Sequence, residues 1–416
     1  MQDQPMNTAP MTRSALSLLI ALLFTVTALN YLDRQVLSLL KPTLVAEFSW
    51  TDTQFATLGT ASQIAAIAAL FFVGWFVDRF GVRFAFALAV AVWSLAGMGH
   101  AAASTVGGFM IARVILIFAE TINTPASMKA VALYVPLEQR SIAIGVVNTA
   151  SNMGAIVAPL LVPLMAVNFG WHATFIVTGG LGFVWIAFWL GGTKRLSPTP
   201  SAAASIAAQS KIEWGVILRD RRTWAIAIAK FLTDAVWWFL LFWTPDLFSK
   251  VFKLSQAEIG YPTAIVYVMA AFGSLCSGFL FPKLLARGFS INRARKTSMF
   301  LFACLILPIT LALFVSSQWT AALFIGLALF AHQGFSTNIF GMATDIIPAA
   351  RIGTVISVGA IFGNLGGVLT NQFTGYALDH GLGYWPLFAF ASVAYLLALL
   401  AVHMLLPVIR PADEGA

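Results

Sequence analysis

Twelve long apolar segments, separated by short stretches that hold most of the charge, run along the whole chain. They lie near residues 14–41, 53–77, 84–103, 107–134, 140–166, 172–192, 223–249, 258–285, 296–315, 319–345, 352–378 and 384–407. Each segment has about 20 residues or more, which is the length of helix that crosses about 30 Å of hydrocarbon. The residues of FAFALAVAVWSLAGM do not alternate between polar and apolar, as the strands of a membrane β-barrel would. The pattern predicts an all-α membrane protein with twelve transmembrane helices.

The composition excludes a soluble fold. Hydrophobic residues make up 59% of the chain, charged residues only 10%, and the mean hydropathy is +0.86. Soluble domains carry about 25% charged residues. A soluble core could not bury this much apolar surface, so the chain is expected to be a multi-pass membrane protein.

The positions of the 24 Lys and Arg residues predict the orientation. If the N-terminus is cytoplasmic, only Lys41, Lys250 and Lys253 face the outside, whereas seventeen cations face the cytoplasm. The other four lie inside the segments: Arg34, Arg113, Lys129 and Lys230. The positive-inside rule therefore places both termini in the cytoplasm. The basic residues are scattered over several loops without interleaved aromatics, which does not indicate nucleic-acid binding.

The first apolar segment has no small-residue cleavage pattern and is predicted to be retained as a helix. Residues 191–223 are rich in Ser, Ala and Pro and then basic, which predicts a cytoplasmic linker over 193–222 between two six-helix bundles, 1–192 and 223–416. The two cysteines and five histidines show no disulfide framework or metal-ligand spacing, so neither a metal nor a cofactor is expected.

The two halves contain matching stretches. GWFVDRFGVR begins at Gly74 and GFLFPKLLARG begins at Gly278. NMGAIV begins at Asn152 and NLGGVL at Asn364, 212 residues later, and Pro136 precedes Pro348 by the same interval. These matches in corresponding helices predict two parallel repeats that face each other across a central cavity.

The stretch GWFVDRFGVR resembles the loop motif of the major facilitator superfamily between helices two and three. The matching residues are Gly74, Asp78, Arg79, Gly81 and Arg83. The resemblance implies a gating motif, in which Asp78 accepts hydrogen bonds from a helix N-terminus or from an arginine of the other half, and Gly74 allows close helix contact. The alternative is an ordinary basic loop.

A narrower resemblance covers nearly the whole chain. NYLDR, EQR after LYVP, RARKT and GNLGGV look like the anion:cation symporter branch. KFLTDAVWWFLLFWTPDLFSK and RGFSINRARKT are similar to the bacterial hexuronate transporters of that branch, whose members carry organic acids together with protons. Ala66 and Ala271 stand where many of these members have a tyrosine and an acid, which leaves the particular ligand open.

Ionised residues inside the first and fourth segments are costly unless they are paired or hydrated. Arg113 and Glu120 lie seven residues apart, so they share one helix face at about 10 Å, too far for direct pairing. Each should find a partner on another helix, and the candidate pairings are Asp33 with Arg113 and Glu120 with Arg34. The alternative is a static salt-bridge lattice that only joins the helices.

The resemblance to the symporter branch implies roles for these residues. Asp33 and Glu120 match its proton-coupling positions, Arg34 matches the arginine that receives the substrate carboxylate, and Arg113 matches a further membrane arginine. Tyr31, in the same NYLDR stretch, is expected to contact the substrate.

Five residues in the second half are further candidates for substrate contact. Lys230 and Asp234 lie one helical turn apart and either contact the substrate or neutralise each other. Asn364 either binds a sugar hydroxyl or only packs, and Trp237 and Trp238 either stack on a sugar or anchor the interface. Lys129, in the fourth segment, is expected to snorkel to the membrane interface.

These residues together predict a monomeric secondary transporter and not an enzyme. The resemblance implies that it carries a small organic anion, a hexuronate or a related sugar acid, in symport with protons by alternating access, and that it lies in a bacterial inner membrane. The alternatives are a carrier of another monocarboxylate or dicarboxylate, or a drug or metabolite exporter of the same superfamily. A membrane enzyme would need catalytic acids, His or Cys clustered near one interface, and the sequence has no such cluster.

Overall fold

The computed structural model describes residues 13–194, 196 and 214–409, and these form helices, turns and short connections. The helices of the first half are α1 (Arg13–Leu39), α2 (Lys41–Phe48), α3 (Asp52–Phe80), α4 (Val82–Gly99), α5 (Val106–Glu120), α6 (Asn123–Tyr134) and a long helix over Leu137–Gly192. After a short helix α9 (Trp214–Arg219), the second half contains α10 (Arg221–Phe252), α11 (Gly260–Ala286), α12 (Ile291–Ile306), α13 (Gln318–Ile346), α14 (Ala349–Asp379) and α15 (Trp385–Leu405). Residues 195 and 197–213 of the predicted linker lie outside the described residues, so the proposed domain boundaries stay a prediction.

The long helix consists of two membrane segments. Gly170 has φ 82° and ψ 162°, which is not helical, and it separates α7 (137–169) from α8 (171–192). Glycine adopts this positive φ without the steric cost that a side chain would add. Eleven described helices are long and apolar enough to cross a membrane, and counting α7 and α8 separately gives the twelve predicted segments.

Two predicted segments are interrupted where proline removes a backbone donor. The segment predicted over 107–134 breaks between Glu120 and Asn123, because Pro125 cannot donate to the carbonyl of residue 121. The segment predicted over 296–315 begins earlier, at Ile291, because Ser290 caps it by accepting a hydrogen bond from the Arg293 amide. Its end is a 3₁₀ helix, Leu307–Leu313, with a proline at its start.

Equivalent backbone positions support the predicted repeat. Pro136 and Pro348 cap α7 and α14 with nearly the same conformation, φ −54° and ψ 145° against φ −55° and ψ 140°. A methyl group at Gly154 of α7 would collide with the backbone of α1, and one at Gly366 of α14 would collide with the backbone of α10. Because Gly154 and Gly366 are also 212 residues apart, the same close helix crossing is built once in each half.

Contacts between the halves concentrate at the end of the bundle opposite the 193–222 connection, which we call the far end. Ser38 of α1 donates a hydrogen bond of 2.6 Å to the Phe242 carbonyl, and Gln372 of α14 donates one of 2.9 Å to Thr60 of α3. The carboxylate of Asp379 accepts from the backbone amides of residues 52 and 53, at 2.9 and 2.8 Å. The far end is therefore closed in this conformation.

Candidate functional site

One predicted ion pair joins α1 to α5. Nε of Arg34 lies 3.1 Å from Oε2 of Glu120. The Glu120 side chain is fully buried, whereas that of Arg34 is 18% exposed. The second carboxylate oxygen of Glu120 has no hydrogen-bond partner among the described residues. The pair is thus buried on the Glu120 side and reaches open space on the Arg34 side.

Arg113 does not bind the acid that we predicted as its partner. Its Nε donates to Oγ of Ser62 at 3.0 Å, and a terminal guanidinium nitrogen donates to the Arg34 carbonyl oxygen at 2.9 Å. Asp33 is only 6% exposed and makes no hydrogen bond or ion pair with the described part of the chain. Neighbouring residues of a helix point about 100° apart, so Asp33 does not share the face of α1 that Arg34 turns toward α5. The predicted pairing of Asp33 with Arg113 is wrong for this conformation.

A cavity lies beside these charges and between the two halves. Arg34 and Arg113 bring two guanidinium groups to its wall, and Gln63 of α3 brings an amide. From the second half, α10 contributes Trp238 and Phe242 to the lining. Two cations beside aromatic surface give this cavity the chemistry to bind an anion.

A second ion pair lies in the C-terminal half. Nζ of Lys230 is 2.8 Å from Oδ2 of Asp234, and both side chains are nearly buried. The structure thus shows the predicted neutralisation. On α14, Asn364 donates to the Ala360 carbonyl at 2.7 Å, but its buried Oδ1 has no partner within the described chain. None of the three residues is among those that line the cavity.

The aromatic candidates lie in different places. Trp237 stacks on His332 with ring centroids 4.8 Å apart, and Nδ1 of His332 is 2.6 Å from the hydroxyl of Tyr395. Its neighbour Trp238 is the tryptophan that lines the cavity. The ring of Tyr31 lies 5.9 Å from the Arg34 guanidinium, within range of a cation–π contact.

Asp78 of the predicted gating motif bonds within its own half. Its carboxylate accepts from Nζ of Lys129, and among the described residues no helix N-terminus or arginine of the other half donates to it. Lys129 thus extends to an exposed acid near the end of α3, a contact that is compatible with the expected snorkelling. The predicted close contact at Gly74 is absent, because a methyl group there would meet nothing within 4 Å.

The other motif residues shape the connection between α3 and α4. Gly81 has φ 77°, which glycine adopts readily, and it ends α3. Arg83 donates to the Leu190 carbonyl at 2.6 Å and to Oγ1 of Thr193 at 3.2 Å, and so caps the end of α8. Arg79 is exposed. The motif here organises one end of the N-terminal half.

Four charged residues form a cluster at the far end that was not predicted from the sequence, and we call it the far-end cluster. Lys41 is fully buried, with Nζ 2.7 Å from Oδ1 of Asp52 and 2.8 Å from Oδ2 of Asp246. Lys250 also pairs with Asp52, and Tyr384 donates to Asp246. Asp246 lies inside the predicted segment 223–249, so an acid within an apolar segment was the available signal.

Histidines, cysteines and acids are distributed over residues 13–194, 196 and 214–409. This part of the chain contains no group of three or more His, Cys, Asp or Glu that could hold a metal ion. Cys276 and Cys304 are free thiols.

The fold and sequence resemble those of known transporters. The chain is 29% identical to the hexuronate transporter of Escherichia coli K12, over 95% of this chain and 96% of that one. It is 25% identical to the D-galactonate transporter of Escherichia coli O6:H1, over 97% and 98% of the two chains. A bacterial homologue of the human lysosomal transporter Spinster, in an inward-facing and occupied conformation, superimposes with a TM-score of 0.75 at 18% identity, over 95% and 96% of the chains.

The D-xylose-proton symporter superimposes with a TM-score of 0.73 at 15% identity, over 96% of this chain and 99% of that one, which again shows a shared fold. The model of the Major Facilitator Superfamily matches residues 23–371. Because that match covers most of the chain, the protein belongs to the major facilitator superfamily, a family of multi-pass membrane transporters and not of enzymes.

Proposed function

We propose that the protein is a proton-coupled symporter of a hexuronate or a related sugar acid, working by alternating access. The observation that carries the proposal is the buried pair of Arg34 and Glu120 at the edge of a cavity that Arg113 also lines. The hexuronate and galactonate transporters that the chain resembles over nearly its whole length favour the same substrate class. The far end faces the outside and both termini face the cytoplasm in this proposal.

Arg34 receives the substrate carboxylate. A guanidinium has five N–H donors in a rigid fork, and Glu120 takes the one on Nε in this conformation. The side chain still reaches the cavity, so its remaining donors can bind a carboxylate in two-pronged fashion. Arg113 adds positive charge and fixes the backbone of Arg34.

Glu120 couples proton and substrate through its competition for Arg34. A proton on Glu120 removes the charge that holds the guanidinium, and Arg34 is then free to bind the anion. When the proton leaves toward the cytoplasm, the ion pair forms again and weakens substrate binding. By linkage, the bound anion must favour proton binding by the same factor.

Asp33 is the second proton carrier. It is buried beside Arg34 without a partner of its own in the described chain. A static lattice would have paired such an acid, because an unpaired buried charge is costly. A buried position without a fixed ion-pair partner suits a carboxyl group that alternates between its protonated and its ionised form.

The proposal is tested by transport into proteoliposomes. Labelled D-glucuronate should accumulate when the outside is acidified, and the gradient should collapse when an ionophore carries protons across the membrane. Competition by organic cations but not by sugar acids would contradict the substrate class. Accumulation that follows a sodium gradient and ignores pH would contradict proton coupling.

An exporter of the same superfamily is the second candidate. The closed far end alone does not separate uptake from export, since a transporter of either kind passes through such a state. Right-side-out vesicles separate the two, because a symporter loads them under an inward proton gradient whereas a proton-driven exporter does not.

A further inference from the structure

Helix α3 presents one face to the cavity. Gly59, Ser62, Gln63 and Ala66 all line it, at the spacing of residues that share a helix face. Gly59 and Ala66 have no polar side-chain atom. Ser62 already donates to the Leu58 carbonyl at 2.7 Å and accepts from Arg113.

Gln63 is the polar residue of this face whose side chain is unused. It is 6% exposed and makes no hydrogen bond with any described residue. A buried amide normally has partners, because leaving its donors and acceptor unmade costs free energy. Because Gln63 lies in a cavity wall, its unpaired amide donors and acceptor indicate that they bind a ligand.

The position of Gln63 indicates which part of a ligand it meets. Ser62, the preceding residue, is hydrogen-bonded to Arg113. Arg113 also donates to the Arg34 carbonyl, so a carboxylate bound by Arg34 lies near Gln63, and the atoms that follow the carboxyl carbon come within its reach. An amide offers two donors and one acceptor, which suits hydroxyl groups and a ring oxygen.

Aromatic residues of α10 complete the lining of the site. Trp238 and Phe242 present apolar surface from α10 to the same cavity. Sugar rings have C–H faces that pack on such surface and hydroxyl edges that need hydrogen bonds. An unsubstituted carboxylic acid would leave the Gln63 amide without a partner.

We infer that Gln63 is a specificity-determining residue, which selects hydroxylated acids over plain carboxylic acids of the same size by hydrogen-bonding the substrate next to its carboxylate. This inference rests on the proposed function and narrows its substrate class. A site built to bind a hydroxyl group rejects analogues that lack it, because its own polar groups then stay unpaired.

The test compares two ligands that share ring size and charge. D-glucuronate has ring hydroxyls, whereas tetrahydropyran-2-carboxylate has the same ring and carboxylate without them. Binding of each is measured with purified wild-type protein and with Gln63→Met, which keeps the length and unbranched shape of the side chain. The matched control is Gln35→Met, because Gln35 is also a buried glutamine but donates to the Ala155 carbonyl at 3.2 Å, outside the cavity.

The wild type should bind D-glucuronate at least tenfold more tightly than the hydroxyl-free acid. Gln63→Met should weaken D-glucuronate binding roughly tenfold and leave the hydroxyl-free acid unchanged. Gln35→Met should change both affinities by the same factor. If Gln63→Met weakens both ligands equally, or neither, the inference is overturned.

If Gln63→Met fails to fold, the comparison of the two ligands on wild-type protein can still overturn the inference. Wild-type protein that binds both acids equally well overturns the inference without any variant. Wild-type protein that binds and transports no sugar acid overturns the proposed function instead, so the two failures are distinguishable.

Discussion

At the scale of single residues, the site depends on which acceptors the guanidinium groups of Arg34 and Arg113 bind. Arg34 bonds to Glu120 through Nε, and its own carbonyl accepts from Arg113. The two arginines are therefore not equivalent, since Arg113 is held by α1 and α3 whereas Arg34 can exchange its partner. This asymmetry places substrate binding on Arg34 and positioning on Arg113.

Replacing Arg34 tests that division. Arg34→Ala should abolish D-glucuronate binding, because removing one partner of a buried pair costs about 3–5 kcal/mol. Arg34→Lys should restore little, since lysine lacks the planar fork. Binding is measured by calorimetry, with Arg293→Lys as the control, because Arg293 packs over Phe289 away from the site. Full binding by Arg34→Lys would contradict a two-pronged contact.

Replacing the acids separates proton coupling from transport itself. Asp33→Asn and Glu120→Gln mimic the protonated forms, so exchange of substrate across vesicles should survive in at least one of them. Accumulation driven by a proton gradient should fail in both. Should both variants still concentrate D-glucuronate in response to pH, these acids are structural and the proton takes another path.

Much of this site follows from the sequence, and the remainder depends on side-chain direction. A charged residue inside an apolar segment is a candidate site residue, and this criterion identified Asp33, Arg34, Arg113 and Glu120. The pattern does not tell which of two neighbouring residues faces a cavity, so Trp237 and Trp238 were both candidates, and of the two Trp238 lines it. Gln63 gave no signal, because an uncharged amide in an apolar segment is not costly enough to be conspicuous.

At the scale of helices, two glycines set how closely α1 packs on α7 and α10 on α14. A methyl group at Gly366 would collide with the Phe231 carbonyl oxygen, which belongs to the backbone of α10. Backbone cannot rotate away as a side chain can, so the helices would have to separate. Helix lengths and order follow from hydropathy, whereas these crossing points require knowledge of the partner helix.

Alanine substitution within α14 tests the crossing. Gly366→Ala should lower stability by about 1–3 kcal/mol, the usual cost of overpacking. Gly353→Ala in the same helix is the matched control, because its methyl group would meet nothing within 4 Å. Thermal unfolding of the detergent-solubilised proteins should show a lower Tm for Gly366→Ala alone. Equal Tm values would mean that the crossing tolerates a side chain.

At the scale of the whole molecule, the far-end cluster links the halves when that end is closed. Lys41 belongs to the first half and Asp246 to the second, and their side chains meet at 2.8 Å. Nζ of Lys41 also lies 4.0 Å from the Trp243 ring centroid. All these contacts must break when the halves part at the far end, so the cluster favours the conformation described here.

Lys41→Met should therefore shift the protein toward opening at the far end. A loss of about 3 kcal/mol in one conformation alone changes the ratio of the two conformations by roughly a hundredfold. Ser38 lies one turn before Lys41, is 1% exposed and lines the cavity, so a cysteine there reports the opening. With Cys276 and Cys304 replaced by alanine, Ser38→Cys should react with an impermeant maleimide much faster in Lys41→Met than in the parent.

The control for the conformational shift removes a different lysine charge from the far end of the molecule. Lys253 is exposed and has no ion pair in the described chain, so Lys253→Met should leave the labelling rate unchanged. Asp246→Asn should accelerate labelling as Lys41→Met does, because each removes one partner of the same contact. Faster labelling in Lys253→Met would indicate an effect of surface charge on the reagent. Slow labelling in both cluster variants would mean that apolar contacts such as Phe55 on Phe242 keep the far end closed without the ion pairs.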